Sequence, residues 1–188
     1  MIHKERFFSW ADRESPSPAR TCLRFAMWTL AATLSTQFQD LSGKLYVYAM
    51  KLLHSVDGKD KDFLWNTGEV YLEQVQAWLL IGYYEFIRME HHHVVLTATC
   101  AFRLVQRADL HLIDAFSKLD AFRFPPKQHI APAGVGYLRP DSSWVIKEER
   151  RRTFWVAFCF DRLISAHEGS FFTLHEELVR HSLPYSLR

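Results

Sequence analysis

Few residues in this 188-residue chain stand at a spacing that supports catalysis. His175-Glu176-Glu177-Leu178-Val179 opens like a zinc-protease helix, but the second ligand must stand one helical turn on, where Val179 cannot coordinate. His91-His92-His93 offers three imidazoles, yet neighbouring helical residues point about 100° apart and cannot converge on one metal without partners from elsewhere. The run reads as a solvated junction. Gly134-Val135-Gly136-Tyr137-Leu138-Arg139 lacks the third glycine and the preceding strand of a dinucleotide turn, and Ser42-Gly43-Lys44-Leu45 lacks the rest of a phosphate loop. No serine sits in a Gly-x-Ser-x-Gly elbow. These failures point away from an enzyme and from a cofactor held by this chain.

The remaining chemistry is charged and aromatic. Arg150-Arg151-Arg152 stands beside Glu148 and Glu149, which favours structural ion pairing over a phosphate-binding or localisation patch. Arginines one turn before the stripe of Phe154, Trp155 and Phe158 can reach carboxylates on a neighbouring helix, with Asp161 and Arg162 as further members of a buried network. Trp28, Trp78, Trp155 and Phe154 read first as core and second as the lining of an apolar cavity. Cys22, Cys100 and Cys159 are odd in number, far apart and each in an apolar segment, so buried free thiols in a reducing compartment are expected; they cannot form a zinc cluster.

The elements that must position these groups are helices. The chain is 48% hydrophobic with seven glycines and seven prolines, the composition of one globular domain, and at this size folding buries roughly 70% of the surface of the unfolded chain. A formal charge of +2 is too small for a nucleic-acid grip through phosphate contacts. The charged N-terminus excludes a signal peptide, and no apolar run approaches the roughly 18 residues of a membrane span, so a soluble intracellular protein without membrane contact is expected.

Residues 1–20 read as a lead-in whose Ser15-Pro16-Ser17-Pro18 delays any helix, followed by a helical domain over 21–188. Leu23, Met27, Leu30, Ala31, Leu34 and Phe38 form one helical stripe, interrupted at Asp40-Leu41-Ser42-Gly43; Leu41, Leu45, Tyr48, Leu52 and Leu53 form the next, making a hairpin that ends near Gly58. A third helix is expected over Thr67–Glu90, with Gly82 marking close packing. A fourth carries Val94, Ala98, Ala101, Phe102, Val105 and Ala108 and closes at Leu110-His111. Phe124 to Ser143 holds four prolines and two glycines and reads as a surface loop between two helical parts. Trp144 to Ala166 reads as one helix, apolar all round from Phe154 to Phe160 and therefore expected to be buried on every side. Gly169 should stop it, and Thr173-Leu174-His175-Glu176 has the spacing of a capping box for a last short helix. The fold class is all-α, an irregular multi-helix domain.

Arg151-Arg152-Thr153-Phe154-Trp155-Val156-Ala157-Phe158-Cys159-Phe160-Asp161-Arg162 resembles the most recognisable motif of the fungal-specific regulatory domain, the middle homology region of binuclear zinc-cluster transcription factors. Val75-Gln76-Ala77-Trp78-Leu79-Leu80 is similar to that family's Gln-Ala-x-Leu-Leu helix, and Ala101 to His111 to the helix after it. Leu183-Pro184 resembles the end of its core, so the likeness covers almost all of residues 20 to 184. It implies a nuclear, non-catalytic domain that regulates RNA polymerase II transcription through intramolecular, partner or effector contacts. Arg151, Arg152, Phe154, Trp155, Phe158, Asp161 and Arg162 would be its structural or regulatory residues, with Trp78, Trp155 and Phe158 lining any effector pocket. Homo- or heterodimers with related factors, DNA contact only through a segment not present, and zinc only in an N-terminal cluster outside this chain are also implied. The chain stops just after the core, as expected of a C-terminally truncated fragment, a short paralogue or an incomplete gene. Two other readings stay open, a small-molecule-binding helical protein and a truncated competitor of full-length relatives.

Overall fold

The computed structural model describes residues 1–11, 17–58, 70–113, 144–169 and 172–175. Every regular element among them is a helix: α1 (Lys4–Ala11), α2 (Pro18–Leu34), α3 (Gln39–Gly58), α4 (Leu72–Ile87), α5 (His91–Arg107), a 3-10 turn at Leu110–Leu112, and α6 (Trp144–Glu168). The fold is all-α. The Pro/Gly loop expected over 124–143 and the last helix expected beyond Thr173 lie outside the described residues.

The lead-in is more structured than its composition indicates. Lys4–Ala11 forms a helix whose Trp10 is buried and whose Phe7 packs edge-on against it, with ring centroids 4.8 Å apart. The serine-proline repeat does not delay every helix, since α1 precedes it and α2 opens at Pro18 itself: the Ser17 side chain accepts from the Arg20 amide at 3.4 Å, and Pro18 occupies a first-turn position where a missing N–H costs nothing.

α2 and α3 form the expected hairpin, but the break falls at 35–38, and Gly43 lies inside α3. A single glycine costs a helix only about 1 kcal/mol, less than a tertiary contact returns. The packed faces are also rotated from the expected stripes. Leu23 and Leu53 are buried as expected, but beside them lie Cys22, Ala26 and Thr29 of α2 and Ser42 and Ala49 of α3, whereas Trp28, Leu34, Phe38, Leu41 and Tyr48 are exposed. Small residues allow the two backbones to approach, and the larger side chains are left flanking the seam.

α4 is the central helix. Every residue from Leu72 to Leu79 is buried, since α2, α3, α5 and α6 all pack against it. Gly82 makes one of these approaches possible: a Cβ there would stand 3.1 Å from the Phe160 ring of α6 and 3.6 Å from Thr97 of α5. A short turn follows, with Met89 in the left-handed region at φ 58°. α5 then buries the expected stripe of Val94, Ala98, Ala101, Phe102, Val105 and Ala108. Asp109, at φ 50°, turns the chain into the 3-10 segment, a conformation that Asp tolerates better than most residues. Gly169, at φ 65°, follows the end of α6 where a stop is expected.

The apolar perimeter of α6 is not buried on every side. Phe154, Ala157 and Phe160 are buried, but Trp155 and Phe158 are half-buried, and Val156, Cys159 and Leu163 are exposed. Among the described residues α6 packs on α4, α5 and the 3-10 turn, which cover one side only. The thiols follow the same correction, since Cys22 is buried while Cys100 and Cys159 are exposed.

Candidate functional site

The motif helix divides into a charged half, an aromatic middle and an anchoring end. In the first turns, Glu148 accepts from Arg151 at 2.5 Å and from Arg152 at 2.9 Å, both on its own helix. The pairing of this basic run with its neighbouring glutamates is therefore as the sequence indicates, but the link to other helices is made by different residues. Arg6 of α1 donates to Glu149 of α6 at 2.6 Å and to Glu73 of α4 at 2.7 Å, and Arg20 of α2 reaches Glu73 at 3.4 Å. Gln76 of α4 completes the junction, donating to Glu149 at 3.2 Å and to the Thr153 hydroxyl at 3.1 Å. Glu149 and Glu73 are buried, so these bonds compensate charges that would otherwise be costly to remove from water.

In the middle, Phe154 is fully buried, and Trp155 and Phe158 pack edge-on with centroids 5.4 Å apart. At the far end Asp161 does not join the arginines of the first turns. Its carboxylate accepts from the Thr173 amide at 3.1 Å and the Leu174 amide at 2.9 Å, and pairs with Arg162 at 2.7 Å. The Arg162 guanidinium lies between the rings of Phe158 and Phe172, 4.0 and 4.1 Å from their centroids. This arrangement holds the 172–174 segment on the helix through charge-assisted hydrogen bonds and cation–π contacts.

A groove of about 630 Å³ runs along the outer flank of α6. Trp155 lines it, together with Arg152, Val156 and Leu163 of α6 and Leu79 and Tyr83 of α4. Neither Trp78 nor Phe158 does so. Trp78 is buried with its ring edge-on to His54, and Phe158 is engaged by Arg162. Trp28, expected in the core, is 47% exposed and packs against Phe25.

One polar centre was not singled out by sequence reasoning. Glu85 of α4 is fully buried and accepts from the Tyr46 hydroxyl of α3 at 2.7 Å and from Thr97 of α5 at 3.1 Å. Burial pushes its carboxyl above the usual carboxylate range, against the opposing effect of the two hydroxyl donors. Its signal in the sequence was a carboxylate on the expected third helix, in the stripe of Val70, Gln74, Ala77, Trp78 and Ile81. Arg6 gave no such signal, because nothing local marks an arginine for a pair 67 and 143 residues away.

Metal chemistry does not fit these donors. Among the described residues no three His, Cys, Asp or Glu side chains converge, His92 and His93 are exposed, and the cysteines lie on α2, α5 and α6. No helix among them is long and apolar enough to cross a membrane.

Comparison with known proteins gives the family. The family model described as the fungal specific transcription factor domain matches residues 1–188. The chain is 42% identical to the asperfuranone cluster transcription factor afoA of Emericella nidulans, over 98% of its own length and 27% of the relative. It is 36% identical to the pigment biosynthesis transcriptional activator pigB of Monascus ruber, over 98% of this chain and 30% of that protein. It is 34% identical to the abscisic acid cluster transcription factor abl7 of Leptosphaeria maculans, over 100% of this chain and 30% of that protein. The chain thus spans under a third of the length of these relatives. No solved structure matches it. With the Arg-Arg-x-Phe-Trp helix in place, its neighbours in the order the motif requires and the family match running from end to end, the chain belongs to the fungal-specific transcription factor domain family.

Proposed function

We propose that this chain is the regulatory region of a nuclear transcription factor that governs a fungal biosynthetic gene cluster, and that it contributes control rather than catalysis or DNA reading. The observation that carries this reading is the match of the whole chain to one regulatory-domain family, with relatives that are cluster transcription factors. Three cysteines in the sequence are too few for a six-cysteine zinc cluster, and no metal-binding group of three converges among the described residues, so sequence-specific DNA contact is assigned to a segment outside these residues.

The role of the motif residues follows from their contacts. α6 is joined at one end to α1, α2 and α4 through Arg6, Glu73 and Glu149, and at the other to the 172–174 segment through Asp161. A helix held at both ends by charge-assisted bonds can transmit a shift at either end as a rigid body, and such couplings commonly amount to about 1–3 kcal/mol.

The test places the full chain between a heterologous DNA-reading domain and an activation segment in a fungal host. Reporter output should change at least about fivefold against the fusion lacking the chain, the lower bound of ordinary allosteric coupling. Asp161→Ala should abolish the change while the protein remains folded by thermal melting. Equal output with and without the chain would remove the regulatory reading.

A further inference from the structure

The groove beside α6 combines three properties that together specify a ligand. Its volume, about 630 Å³, lies within the range of small-molecule sites. Arg152, Val156, Cys159 and Leu163 line it at successive helical turns, so it extends about 16 Å along α6 with a cation at one end and apolar groups at the other. The third property is an exposed cation: Arg152, at 39% of its side chain, is more exposed than Arg6, Arg20 and Arg151, which pair with Glu73, Glu148 and Glu149. Glu148 accepts from Nε of Arg152 and so fixes the guanidinium plane. The two terminal nitrogens make no hydrogen bond to any described residue, leaving a planar two-donor edge of the kind that matches a carboxylate.

We propose that this groove binds an amphiphilic organic acid, its carboxylate on the free edge of Arg152 and its apolar body along Val156, Cys159 and Leu163. A purely apolar ligand would leave the charge unanswered, and an inorganic anion would leave the apolar length unfilled. Binding stands on the groove alone, while its consequence for transcription rests on the regulatory function proposed for the chain.

Two exposed thiols make the test site-specific, because Cys159 lines the groove and Cys100 lies on α5 outside it. The full chain is labelled with a maleimide, and modification of each cysteine is followed by mass spectrometry with decanoate, decanol or neither. Decanoate should slow labelling of Cys159 and leave Cys100 unchanged. Decanol should need at least about tenfold higher concentration for the same protection, as expected for loss of one charge-assisted pair. Arg152→Gln should erase the preference for acid over alcohol. Val156→Glu, at an exposed position that folding tolerates, should remove decanoate protection by placing a carboxylate beside Arg152. Equal protection by acid and alcohol, or protection unchanged in both variants, would overturn the proposal. So would a groove covered by a second copy, seen as slow Cys159 labelling that decanoate does not change, with a Val156→Glu shift in oligomeric state. Protection by decanoate with a reporter that ignores the domain would retain the ligand site and defeat the regulatory reading. A responsive reporter without protection would do the reverse.

Discussion

α4 and α6 lie side by side and run in the same direction, with Gln76 beside Thr153 and Phe86 beside Phe160 and His167, yet one encloses its polar residues and the other exposes part of its apolar run. α4 carries Glu73, Gln74, Gln76 and Glu85, and all four are buried. α6 carries an unbroken apolar run from Phe154 to Phe160, and Val156 and Cys159 within it are exposed. The number of neighbours decides. Four helices surround α4, so its polar residues are enclosed and need partners, whereas among the described residues α6 is covered on one side and its outer apolar residues border a groove. An apolar perimeter therefore marks what a helix can bury, and the neighbouring helices determine what it does bury.

Substitutions on the two helices should break this comparison unequally. Trp78→Ala, in the centre of α4, should cost about 3–5 kcal/mol in urea unfolding, the usual range for a buried aromatic; a loss below about 1 kcal/mol would contradict a surrounded α4. Arg6→Ala should cost about 2–3 kcal/mol, because it leaves Glu149 and Glu73 under-compensated while Gln76 and Arg20 still donate to them. Parent-like stability in this variant would show that α1 does not hold the junction.

Glu85→Gln sharpens the contrast through pH. A carboxyl whose folded value is raised contributes stability that is full below the unfolded value, about 4.5, and is lost as pH rises through the folded value. Against Glu85→Gln, whose amide oxygen can accept from Tyr46 and Thr97, the parent should lose stability over that window by at most about 1.4 kcal/mol per pH unit. A stability difference that stays constant with pH would show that the carboxyl does not titrate there. The smallest effect should come from Leu163→Ala on the exposed flank of α6, within about 0.5 kcal/mol by the same unfolding measurement.

Local patterns were legible where a residue's own neighbours set its state. The α5 stripe, the packing role of Gly82, the stop at Gly169 and the pairing of Glu148 with the arginines after it are all short-range, and the sequence displays them directly. The same holds for the motif at Arg151 to Arg162, which identifies the family without reference to any contact. The misjudged features depend on what lies opposite. Helix periodicity favoured the large side chains of α2 and α3 as the buried face, but close approach at Ala26, Ser42 and Ala49 turned Trp28 and Tyr48 outward.

The sequence by itself determined the all-α class, the order of α2 to α6 and the family, because propensity, capping and motif spacing operate within a few turns of the chain, while α1 was not foreseen. Only the tertiary structure decided that Arg6 joins Glu73 and Glu149, that Asp161 holds Thr173 and Leu174 rather than the arginines before it, and that Trp155 borders a groove while Trp78 fills the core. Ion pairs and burial depend on distances between helices, and those distances are set by the size of the side chains at each seam, a property of two helices that neither sequence segment contains alone.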